Sequence, residues 1–103
     1  VAPFGGSIAV LVNEDSASAS EIIANALREA KRSPIVGEPT AGAVLMSTFE
    51  QLPYGFRIQF PVSDYVSVGG KRLESNPIRP DVVLSKESVK TEAAVDAALA
   101  RMR

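Results

Sequence analysis

The sequence predicts an α/β domain, and three observations carry that prediction. An apolar run, Ile8-Ala-Val-Leu-Val12, gives way to a helix-period stretch and then to a second short apolar run, Ile35-Val-Gly37. That order is a β-α-β unit, with the second strand expected parallel to the first through a right-handed crossover. From Val44 the apolar residues alternate instead, which is the period of hairpin strands. Near the C-terminus a helical stripe returns at Ala94, Val95, Ala98, Leu99 and Met102.

Each element has a local reason. Val1–Gly6 holds a proline and a glycine pair and reads as loop, and Ser7–Val12 is the first strand. Asn13-Glu14-Asp15 is a turn. The first helix is expected from Ser18 or Ser20 to Lys31, with Ile22, Ile23, Ala26, Leu27 and Ala30 on its apolar face. Asn25, Arg28 and Glu29 are expected to face water. Ser18 and Glu21 fit the S-x-x-E capping box, while Arg28, Lys31 and Arg32 suit the helix C-terminus. Ser33-Pro34 stops the helix, and Ile35–Glu38 is a short strand. Leu45–Leu52 and Phe56–Val62 are paired strands joined at Pro53-Tyr54-Gly55, with Phe56, Ile58, Phe60 and Val62 on one face. A second hairpin is expected over Tyr65–Val68 and Lys71–Leu73 around Gly69-Gly70. A proline-stiffened loop, Glu74–Asp81, leads to a short strand at Val82-Val83-Leu84, and the last helix is expected over Thr91–Met102.

Composition bounds the function. The chain has 103 residues, 46% hydrophobic and 22% charged, which suits a single domain over 1–103. A net charge of −1 gives no electrostatic case for nucleic acid or an anionic membrane surface. No apolar stretch is long enough to span a membrane. Cysteine is absent, so thiolate catalysis, disulfides and cysteine metal sites are excluded, while the compartment stays open. With no His or Cys, and with Asn13-Glu14-Asp15 too short for a calcium loop, no metal is expected. Gly5-Gly6 and Gly69-Gly70 do not open a phosphate-binding pattern, and no cofactor is implied. The absence of histidine also means that a Ser-His-acid triad cannot be completed within these residues. The chain opens at Val1 without an initiator Met and is read as a processed product or excised fragment.

The stretch that offers chemistry is Val10-Leu-Val-Asn-Glu-Asp-Ser-Ala-Ser-Ala-Ser-Glu21. Strand, tight turn, small residues and helix start together hold a serine hydroxyl out for attack. The same turn leaves backbone N–H groups free at the positive end of a helix. On pattern alone, Ser18 is better explained as a helix cap and Glu74 as a solvated carboxylate, while Thr40 and Gly42 suit turn residues. Asp81 reads as a structural hydrogen-bond acceptor, and the ribbon aromatics as core or sheet-packing residues.

Ser16-Ala-Ser-Ala-Ser-Glu21, followed by Val36-Gly-Glu-Pro-Thr-Ala-Gly42, resembles the nucleophile segment of the carboxyl-terminal processing (tail-specific) serine proteases. Leu52-Pro-Tyr-Gly55, Asp64-Tyr65 with Gly70-Lys-Arg-Leu-Glu74, and Ile78-Arg-Pro-Asp81 match later family motifs in the same order. The resemblance runs from about Ser7 to Leu84, and several motifs in sequence are far more specific than one. It implies a ClpP/crotonase-like core, of which this chain would be a C-terminal, nucleophile-bearing part. It also implies Ser18 as nucleophile, the Ala19 N–H as an oxyanion donor, and Gly42 in the oxyanion or substrate-binding segment. The implied substrate is a peptide or protein bound as an added strand, and the implied location is the cell envelope or beyond it. Strand edges left open on such a part-domain would allow pairing with a second copy.

One departure matters. Many members carry a lysine general base after T-x-G, and here Ala43 holds that position. Three explanations stand. The chain belongs to a tricorn-like branch, which draws a histidine from upstream polypeptide and orients it with a glutamate that maps onto Glu74. Alternatively, it is a natural protein that has lost activity and keeps the fold as a peptide-binding or scaffolding module. The third is a laboratory Lys→Ala substitution. Retention of Glu74 favours the first. Ser75 and Pro77 replace glycines common in the family's loop, so an altered loop path is expected there. Acyl-CoA chemistry, which the fold class also hosts, has no sequence feature in its support.

Overall fold

The computed structural model describes residues 1–102. Three short strands, β1 (Val10–Val12), β2 (Ile35–Gly37) and β3 (Val82–Val83), form a parallel sheet in the order β1-β2-β3. Helix α1 (Ala19–Glu29) connects β1 to β2, so the β-α-β unit is present. β2 is buried on both faces, as the central strand of a covered parallel sheet must be. On one side Ile35 packs with Val12, Ala24, Val44, Leu73 and Ile78 to make the core. The C-terminal helix α2 (Glu92–Met102) contacts β1 and β2 and buries Ala94 and Ala98. Its Val95 and Leu99 stay about half exposed.

Between β2 and β3 the chain leaves the sheet. Strands β4 (Met46–Gln51) and β5 (Arg57–Ser63) pair antiparallel around a turn at Pro53–Gly55, in which Tyr54 takes φ 64°. Every residue of both strands is exposed. Phe56, Ile58 and Phe60, expected in a core or sheet interface, are therefore left between about a third and two thirds exposed. The ribbon is held by its own ladder and by the Arg57 guanidinium over the Phe49 ring, 4.7 Å from its centroid.

Two further expectations are corrected. The second hairpin reduces to one bridge, Val66 with Arg72. Buried Ser67 accepts the Lys71 N–H at its own hydroxyl and donates that hydroxyl to Glu29, so the ladder stops after one rung. Helix α1 is also rotated from its apolar stripe. Glu21, Ala24 and Asn25 are its buried residues, and Ile23 is 59% exposed. The reason is polar: Glu21 is bonded to the loop after β2, which turns that side of the helix inward. Arg28, expected in water, instead crosses to donate to the Arg79 carbonyl, with Asp81 at 3.7 Å. The helix ends at Lys31 (φ 54°), where Arg32 N–H bonds Leu27 C=O and Lys31 N–H bonds Arg28 C=O. That is a Schellman motif formed without glycine, two residues before Ser33-Pro34.

Candidate active site

The apolar strand β1 runs straight into the serine-rich segment, and each serine does something different. Ser16 folds back on the turn: its hydroxyl meets Asn13 Oδ1 at 3.3 Å and accepts the Asn13 N–H at 3.1 Å. Ser20 is exposed and its N–H closes a four-residue turn onto the Ala17 carbonyl at 3.2 Å. Ser18 sits inside that turn with φ 57° and ψ −125°, the angles of the first central residue of a type II′ turn, a place glycine usually fills. A side chain there costs about 1–3 kcal/mol in backbone strain. The strain swings Cβ outward, so Ser18 is exposed and its hydroxyl makes no cap to the helix. The capping box read from Ser18 and Glu21 does not form.

Ala19 begins the helix, and its N–H has no acceptor among the described residues. It stands beside the Ser18 side chain at the positive end of α1, the geometry that an oxyanion uses.

Glu21 is the residue that the sequence pattern misassigned. It is wholly buried. Its Oε1 accepts the Thr40 hydroxyl at 2.5 Å and the Gly42 N–H at 2.8 Å, while Oε2 accepts the Ala43 N–H at 2.9 Å. The loop is returned to the elbow by Ser18 N–H to Ala43 C=O at 2.8 Å and Ala41 N–H to Ser16 C=O at 2.9 Å. Its position three residues after the middle serine, ahead of a T-x-G loop, was the available signal. The capping-box reading absorbed it.

The predicted residues converge on that loop. Ala43, at the lysine-equivalent position, is exposed and directly bonded through its carbonyl to Ser18. A base carried on that residue would start one hydrogen bond from Ser18; a methyl group carries none. Glu74 approaches from the other side, where its Oε2 accepts the Val44 N–H at 2.7 Å and the Leu45 N–H at 3.1 Å. Gly42 is required by shape: φ is 69°, and a Cβ would lie 2.9 Å from Pro77 Cδ. Its N–H is already given to Glu21, so of the two expected oxyanion residues only Ala19 keeps a free N–H. Ser75 takes φ 58°, the conformation a glycine adopts easily, and its N–H donates to the Gly42 carbonyl at 2.8 Å. Asp81 holds the start of β2, exchanging bonds of 2.7 Å with Ile35 through both its side chain and its backbone. No cluster of three metal-ligating side chains occurs among the described residues, and none of their helices is long and apolar enough to cross a membrane.

Comparison with known proteins bears on this arrangement. The profile of peptidase family S41 matches residues 2–84. The "C-terminal processing peptidase, chloroplastic" of Tetradesmus obliquus is 38% identical over 85 residues, 82% of this chain and 18% of the relative. The "Carboxy-terminal processing protease CtpA" of Bacillus subtilis is 34% identical over 73 residues, 71% of this chain and 16% of its own length. Among solved structures, a photosystem II D1 C-terminal processing protease superposes with a TM-score of 0.72 at 33% identity, over 91% of this chain and 25% of that one. The chain thus spans about a fifth of the length of the curated relatives it matches.

Proposed function

Since the chain belongs to peptidase family S41 and shares the α/β fold of its C-terminal processing proteases, we propose that it is the nucleophile-bearing part of a serine endopeptidase, with Ser18 as the attacking residue. The observation that carries this is the backbone of Ser18, φ 57° and ψ −125°, with its hydroxyl exposed and uncapped beside a free N–H. A serine that served only to cap the helix would lie in extended backbone and bond its first turn.

In this reading Ser18 Oγ attacks the scissile carbonyl carbon. The hydroxyl proton passes to a general base, and the carbonyl oxygen, now anionic, is met by the Ala19 N–H. Collapse of the tetrahedral species expels the amine and leaves an acyl-enzyme that water then resolves. The chain has no histidine, and Ala43 stands at the lysine position, so the base comes from outside these residues. An imidazole is the group suited to the task near neutral pH. One oxygen of Glu74 is spent on Val44 and Leu45, and its second oxygen, for which no partner occurs among the described residues, is the one that would orient that imidazole. The substrate is a polypeptide laid down as an extended strand.

The test is labelling by a fluorophosphonate probe in the longest polypeptide that carries this segment. Adduct mass on Ser18, abolished by Ser18→Ala, is the expected result. Tight binding of extended peptides with no adduct would instead mark a non-catalytic peptide-binding module. Cleavage of an unstructured peptide by residues 1–103 alone, lost in Ser18→Ala, would refute the external base.

A further inference from the structure

We propose that Glu21 and Thr40 are a positioning pair for Ser18, fixing the nucleophile's backbone through the loop at 40–43. The proposal rests on Ser18 being the nucleophile.

The connections close a ring. Glu21 lies in the first turn of the helix that Ser18 opens. Its carboxylate takes the Ala43 N–H, and the Ala43 carbonyl takes the Ser18 N–H at 2.8 Å. Thr40 adds direction to the ring. The Ile78 N–H donates to Thr40 Oγ1 at 2.8 Å, which leaves the hydroxyl proton to point at Glu21. Elbow, T-x-G loop and I-x-P-D loop are thereby tied at one buried carboxylate.

Two features mark this as more than ordinary packing. No lysine or arginine forms an ion pair with Glu21 among the described residues. Burying a carboxylate without a counter-charge is expensive, and it is tolerated only where hydrogen-bond donors replace water. Here three donors do so, which is what a carboxylate accepts and a neutral side chain cannot. Glutamine has one acceptor oxygen, and its NH₂ would face a backbone N–H. Second, the object being held is a strained residue. Backbone in a sparsely populated region persists only when its surroundings over-determine it, and the bond from Ser18 to the anchored loop is that constraint.

The pair acts through Ser18 and touches no substrate, so its loss should slow attack more than binding. The test compares wild type, Glu21→Gln, Thr40→Val and Thr40→Ser in the longest polypeptide that carries the segment, each well below its own Tm. Readouts are the rate of fluorophosphonate labelling at Ser18, and kcat and KM on an unstructured peptide. Glu21→Gln and Thr40→Val are expected to slow labelling and kcat by about tenfold to a hundredfold, the cost of a small misplacement, with KM nearly unchanged. Thr40→Ser keeps the hydroxyl and is expected to restore the rate. If Glu21→Gln fails to fold, the two Thr40 variants decide alone. Labelling of Glu21→Gln or Thr40→Val at the wild-type rate overturns the proposal, as does an equal loss in Thr40→Ser and Thr40→Val. A wild type that takes no label sinks the Ser18 assignment and this proposal with it, whereas a labelled wild type beside an unaffected Glu21→Gln sinks the positioning role alone.

Discussion

The loop at 38–45 and the β4–β5 ribbon are neighbours in sequence and opposites in construction. Thr40, Gly42 and Val44 are buried, and the backbone around them is bonded to Val12, Ser16, Ser18, Ile78 and Ser75, and to the carboxylates of Glu21 and Glu74. From Met46 to Ser63 no strand residue is buried, and the ladder bonds run only between β4 and β5. The loop's shape is thus determined by this chain, through hydrogen bonds along its backbone from Glu38 to Leu45. The ribbon's shape is determined by strand pairing and contacts within the ribbon, and its apolar face stays at least a third exposed. Chemistry requires the first kind of construction, because a nucleophile displaced by an ångström loses most of its rate.

The sharpest way to break that contrast is to add the same methyl group to each region. At Gly37, which opens the anchored loop at φ 135°, a Cβ would sit 1.9 Å from the Val12 carbonyl oxygen. Backbone must move, β1 and β2 lose their register, and Gly37→Ala is expected to cost about 3 kcal/mol or more. At Gly55, in the ribbon turn at φ 81°, a Cβ meets nothing within 4 Å. Gly55→Ala is expected to cost only conformational strain, about 1 kcal/mol. Urea midpoints for the two variants check this. Similar losses would mean that the ribbon is as tightly specified as the loop.

A smaller effect of opposite sign is expected at the elbow. Ser18 carries about 1–3 kcal/mol of strain that glycine would relieve, against about 0.5–1 kcal/mol of added freedom in the unfolded chain. Ser18→Gly is therefore expected to raise stability by about 1 kcal/mol while removing the hydroxyl proposed to attack. A rise in Tm together with complete loss of labelling is the expected pair of results. A fall in Tm would show that the Ser18 side chain contributes packing, and the contrast between strained elbow and relaxed ribbon would weaken.

Much of the loop was legible in the sequence, and the reason is local. The turn residues Asn13 and Gly42, the serine spacing and the run Val36–Gly42 each specify backbone within a few positions, whereas roles for Ser18, Ala19, Ala43 and Glu74 came only from the family resemblance. Element order was also readable, because the changes of period fall between elements. The strands came out shorter than the apolar runs, since ladder bonds begin only where a partner lies alongside: Ser7–Ala9 and Glu38 fall outside. Helix rotation was not legible. Ile22, Ile23, Ala26 and Leu27 outweigh one glutamate in any count of apolar positions, yet three hydrogen bonds to Glu21 decide which side turns inward. The S-x-x-E spacing itself is ambiguous. A capping box and an uncapped serine followed by a loop-anchoring glutamate are written with the same letters, and the φ of Ser18 separates them. Nor could alternation at Phe56–Val62 say whether the apolar face is covered by this chain.

The smallest expected effect separates the two regions by pH. At the base of the ribbon Asp64 accepts from Arg72 Nε at 2.5 Å and from the Tyr65 N–H at 2.7 Å, and Arg72 holds its carboxyl below the usual 3.8. Glu29, which receives the Ser67 hydroxyl under the adjoining turn, is likewise held below 4.5 by that hydrogen bond. A depressed folded pKa stabilises above the unfolded value and is lost as pH falls through the folded one. Their contribution is thus complete at neutral pH and disappears on the acid side of 3.8 and 4.5. Lys86 behaves in the opposite sense. Its bond to Glu14 at 2.5 Å raises it above 10.5, so its contribution holds below that value and fades only in stronger alkali. The pairs are exposed, and their effects are correspondingly slight. Asp64→Asn should lower the urea midpoint at neutral pH, and its difference from wild type should shrink to nothing in acid. A difference that persists at low pH would mean that Asp64 acts there as a neutral hydrogen-bonding group, and that the base of the ribbon is fixed by shape, as the loop is.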